Sequence, residues 1–88
     1  MDFEVVALIA SEDYESFRRI LHAHLPNTYD EWFQLHSKEL ANHERFLRPF
    51  REIQIYPDEF IDYLRPFGRE ANLVSMRNFA IEKSARHG

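Results

Sequence analysis

The chain has 88 residues, no cysteine, 15 acidic against 11 basic side chains for a net charge of −4, and 15% aromatic residues, eight of them Phe. The missing cysteines exclude disulfides, thiolate metal sites and a Cys nucleophile, the acid excess argues against wholesale phosphate binding, and the ring content excludes a disordered chain. A single domain over residues 1–88 is expected, burying about 60–65% of the unfolded surface, which is too little for a deep multi-substrate active site.

The first element is Phe3 to Ile9, an apolar, β-branched run that reads as a strand. It is too short for a signal-peptide core or a spanning helix and follows an acidic start, so neither export by that route nor a membrane segment is expected. With no cysteine, the chain fits a cytoplasmic protein. Ser11 is the candidate N-cap of a helix from about Glu12 to His24, in which Tyr14, Phe17, Ile20 and Leu21 form an apolar stripe with His24 on the same side.

Thr28 and Glu31 have the spacing of a capping box and open the second helix, which Pro49 stops. Between Thr28 and Arg48, the residues Trp32, Leu35, His36, Glu39, Leu40, His43, Phe46 and Leu47 fall within an arc of roughly 140°. The link from helix one is short, so the two helices are expected to form an antiparallel hairpin.

Arg51 to Tyr56 alternates polar and apolar residues, the period of a half-buried strand whose obvious partner is the first. Pro57 at a first helical position, followed by Asp58 and Glu59, opens a third helix that buries Phe60, Tyr63 and Leu64 and stops at Pro66 and Gly68. Asn72 caps a fourth helix with Leu73, Met76, Phe79 and Ala80 on its buried side. The expected fold is α+β and helix-rich: about four helices and a two-stranded sheet in the order β-α-α-β-α-α. Asp13-Tyr14-x-x-Phe17-x-Arg19 echoes Glu59-Phe60-x-x-Tyr63-x-Arg65. If that echo is a repeat, the strands lie side by side and parallel, each followed by a helical pair.

Absences narrow the chemistry. Gly68 and Gly88 are the only glycines, which leaves no phosphate-cradling loop. No serine has the strand–turn–helix context of a nucleophile elbow. No cofactor is expected, and catalysis has no second feature to support it.

The anomaly is His36, Glu39 and His43 on the greasy side of helix two, because titratable groups set for burial must pair, bind an ion or meet a partner. Glu39 could accept from both flanking imidazoles. Alternatively, the Trp32, His36, Glu39 and His43 face is a docking surface with Trp32 as anchor. A Zn²⁺ site on His36, Glu39 and His43 with His24 would need about four converging ligands, which no local motif supplies.

A basic patch from Arg45, Arg48, Arg51, Arg65, Arg69 and Arg77 would serve nucleic acid. Residues 45–88 hold 8 basic against 6 acidic groups, whereas residues 1–44 hold 3 against 9. The interleaved acids favour a solvated surface instead. The sequence therefore points to a protein-interaction or regulatory module whose partner is another protein or a second copy. Metal binding and nucleic-acid binding are the alternatives.

Overall fold

β1 (Glu4–Ile9) and β2 (Phe50–Ile55) pair in parallel, in register from Glu4 opposite Phe50 to Ile9 opposite Ile55. The computed structural model describes residues 3–21 and 24–87, without the side chain of residue 87. His22 lies outside the described residues. β1 leads through a 3₁₀ turn (Ser11–Asp13) into α1 (Tyr14–Leu21), and a loop then reaches α2 (Tyr29–Arg45). After β2 come α3 (Pro57–Leu64), a second 3₁₀ turn (Arg65–Phe67) and α4 (Leu73–His87). The described residues thus form an α+β fold in the expected β-α-α-β-α-α order.

Side chains alternate across a strand, so Glu4, Val6 and Leu8 share one face with their register partners Phe50, Glu52 and Gln54. α2 lies over that face, where His43 sits 5.3 Å from the Phe50 ring and His36 reaches Glu52. The other face carries Ile9 and Ile55, both fully buried with Phe17 of α1, Phe60 of α3 and Met76, Phe79 and Ala80 of α4. Phe60 joins these layers, with its ring 6.1 Å from Phe17 and 5.9 Å from Phe79.

Two caps set the helix starts as the sequence indicates. Thr28 Oγ1 accepts the Glu31 amide at 3.2 Å, although the Glu31 carboxylate takes the Thr28 hydroxyl rather than the Thr28 amide. At α4, the Ser75 amide donates to Asn72 Oδ1 at 2.8 Å and the Asn72 amide to Ser75 Oγ at 2.9 Å, a reciprocal box. Pro57 stands at the first turn of α3, and Gly68 ends the following turn in the left-handed region at φ 58°.

Several boundaries differ from the sequence reading. Ser11 is not a cap: Ala10 precedes the 3₁₀ turn, whose Asp13 amide donates to the Ala10 carbonyl, and α1 proper begins only at Tyr14. α1 and α2 do not pack along their lengths as a hairpin. They meet through Tyr14, whose ring lies 5.7 Å from Tyr29 and 6.2 Å from Trp32 and whose hydroxyl donates to the Pro26 carbonyl at 2.7 Å.

α2 stops at Arg45, short of Pro49, and Leu47 takes a left-handed φ of 54°. Of the expected inward arc, only Trp32, His36 and His43 are buried, while Leu35, Glu39, Phe46 and Leu47 are exposed. Two strands are only about 5 Å apart and cover a narrow line of a helix rather than a broad arc.

Candidate functional site

The histidines of the α2 polar column turn their Nε2 atoms to acids of the sheet and not to Glu39, while the buried Nδ1 of His43 has no hydrogen-bond partner among the described residues. His36 is 5% exposed, and its Nε2 hydrogen-bonds Glu52 Oε1 at 2.8 Å. His43 is 6% exposed, and its Nε2 lies 3.2 Å from Glu4 Oε2. Seven residues on a helix advance about 10.5 Å, while Glu4 and Glu52, one strand apart and two residues offset, are separated by roughly 8 Å along the sheet diagonal, a difference of about 2.5 Å that the flexible glutamate side chains take up.

Glu39, the acid expected to bridge both imidazoles, instead faces solvent. The residues that sequence reasoning missed are Glu4 and Glu52. Their only local trace is a carboxylate at an α2-facing strand position, which acquires meaning once the register is known.

Trp32 is 8% exposed and belongs to the core, with its ring stacked on His36 at a centroid distance of 4.7 Å and an interplanar angle of 15°. It is a wall of the site more than a free anchor. His43 lies outside that wall, packed on Phe50.

A groove of about 300 Å³ opens between α2 and the start of α4. Trp32, Leu35, His36 and Glu39 form one wall, and Leu73, Met76 and Arg77 form the other. Val5, Val6 and Ala7 of β1 run along its floor, and His24, Leu25 and Pro26 close one end. Leu35, 58% exposed, and Leu73, 45% exposed, stand at the rims. A second hollow, of about 380 Å³, separates α3 from α4 and is lined by mixed charges including Glu59, Asp62, Lys83 and Arg86.

The metal constellation does not assemble. His36 and His43 turn to separate glutamates, His24 is exposed at the groove end, and Glu39 points outward. Among the described residues, no three His, Asp or Glu side chains lie close enough to hold an ion.

The arginines of the candidate basic patch rest on different neighbours. Arg45 and Arg48 flank the Phe46 ring, and Arg51 rests on Phe3. Arg69 is held between Tyr63 and Phe67, Arg65 lies near Asp62, and Arg77 lines the groove.

Among the described residues, no helix is long and apolar enough to cross a membrane. No family model, no curated protein and no solved structure is significantly similar to this chain.

Proposed function

We propose that this chain is a small cytoplasmic protein-interaction module, without catalytic activity, whose docking site is the groove between α2 and α4. The observation that supports this most is the groove itself: apolar walls from Trp32, Leu35, Leu73 and Met76, with one acid (Glu39) and one base (Arg77) placed on opposite sides. Apolar walls with few polar groups of defined sign are the usual make-up of a site that binds by shape and orients by charge. The absence of cysteine in the sequence supports the reducing compartment.

The test is a selection of peptides from a random display library against the intact protein, mapped by NMR. Shifts centred on Leu35, Glu39, Leu73 and Arg77, and loss of binding in Leu35→Glu, would support the reading. An empty selection, or binders that map to another face, would contradict it. Leu35 is the residue to change because its side chain is exposed, whereas Trp32→Ala would remove part of the core.

A further inference from the structure

We infer that the occupant of this groove is an extended peptide segment of another protein, added as a third strand along the edge of β1 that is free of backbone partners among the described residues. This rests on the interaction reading above and specifies its chemistry. In a parallel ladder, alternate residues turn both their amide and their carbonyl toward the neighbouring strand, and the residues between them turn both away.

The Glu4 amide donates to the Pro49 carbonyl at 3.1 Å, which fixes the phase. With the observed register, Glu4, Val6 and Leu8 bond to β2, and Val5 and Ala7 turn their N–H and C=O groups outward. Those outward groups face the floor of the groove, since Val5, Val6 and Ala7 all line it.

The opposite edge is treated differently. By the same phase, Glu52 and Gln54 turn outward from β2, and the Gln54 carbonyl accepts Lys83 Nζ at 2.9 Å. Lys83 also contacts Glu59 at 2.7 Å, so a lysine tethered from α4 occupies an acceptor of this edge. α4 thus crosses the sheet from the rim of the β1 groove, at Leu73 to Arg77, to the β2 edge, at Lys83.

Only a backbone in extended conformation offers donors and acceptors at the spacing that Val5 and Ala7 require. A second copy of this chain is the less favoured occupant, because its own β1 edge lies between the same two helices, whereas a single extended segment brings no helices with it.

The two walls then set the side-chain preference of the incoming strand. Residues facing α2 meet Trp32, Leu35 and His36, with Glu39 at the rim, and those on the other face meet Leu73 and Met76, with Arg77 at the rim. The favoured segment has alternating apolar residues, a basic group placed toward Glu39 and an acidic group placed toward Arg77.

The experiment takes the best peptide from the display selection and methylates its backbone amides one at a time. Strand addition predicts that methylation at alternate positions weakens binding by about tenfold or more, while the intervening positions change little. A peptide that binds the groove, is abolished by Leu35→Glu, and shows no such alternation would overturn strand addition and leave the interaction module standing. A bound peptide that is helical would do the same. Concentration-dependent dimerisation that protects the Val5 and Ala7 amides would overturn it in favour of a second copy. Failure to obtain any groove-binding peptide would sink the interaction reading itself.

Discussion

Glu52 on β2 holds the buried imidazole of His36 at 2.8 Å, pressing that ring flat against Trp32 one turn earlier on α2. This contact and the companion approach of His43 to Glu4 bind the long helix to a sheet of only two strands.

Replacing Glu52 by Ala leaves a buried imidazole nitrogen without its partner and is expected to cost about 1–3 kcal/mol. Thermal melting should show this as a drop of several degrees. Glu39→Ala, by contrast, should stay within about 0.5 kcal/mol of the parent, since Glu39 is a solvated surface group. Equal losses in the two variants would show that Glu39 supports the histidines as much as Glu52 does.

The end of α2 stores strain at Leu47. Its amide donates to Glu44 and the next amide, that of Arg48, donates to His43 at 2.8 Å, a double closure that requires the residue between the bonds to be left-handed. Glycine is the usual occupant. A leucine that is 91% exposed contributes almost no packing in return. Leu47→Gly is expected to stabilise the fold by about 1 kcal/mol, read as a higher urea midpoint at unchanged slope. A lower midpoint would mean that the Leu47 side chain makes contacts in the folded state.

Tyr14 gives the molecule an alkaline limit. Burial pushes its phenol above the ordinary value of 10.0; Arg18 opposes that shift, and Glu31 and Glu15 add to it. The folded state therefore holds this proton more tightly than the unfolded chain. Its contribution is complete below about pH 10 and is lost as the pH rises through the folded value. Stability measured by denaturant should fall more steeply above pH 10 in the parent than in Tyr14→Phe. At neutral pH that variant should lose about 1 kcal/mol with the hydrogen bond to Pro26. Parallel alkaline limbs would refute the assignment.

Lys83→Met should keep the helical stem and uncover the β2 edge. The expected result is concentration-dependent association by light scattering at only a small cost in stability, because the Gln54 carbonyl becomes available to another strand. A variant that stays monomeric at all accessible concentrations would show that the edge is closed by other means.

The order of elements was legible because its signals are local. Thr28, Pro57 and Asn72 announce helix starts through their own hydroxyl, ring and amide chemistry, and the apolar stripes around Phe17, Phe60 and Phe79 follow helical spacing. The candidate site was only half legible. Trp32, His36 and Glu39 do line one groove wall, but His43 lies outside it, and the acids that meet the histidine Nε2 atoms are long-range partners no helical pattern can reveal. Ser11 misled because a capping side chain there competes with a tighter 3₁₀ entry, and Leu47 because left-handed geometry at a leucine has no local marker. The open floor of the groove depends on ladder phase, which is set by the pairing of residues 46 positions apart in the chain, such as Val6 and Glu52.

Amide hydrogen exchange along β1 in the free protein, repeated with a groove-binding peptide, tests the central claim most directly. Val6 and Leu8 should exchange slowly in both states, and Val5 and Ala7 should exchange at least about tenfold faster until the peptide protects them. Slow exchange at all four positions in the free protein, or protection confined to Val6 and Leu8 when peptide is bound, would contradict a free β1 edge that receives a strand.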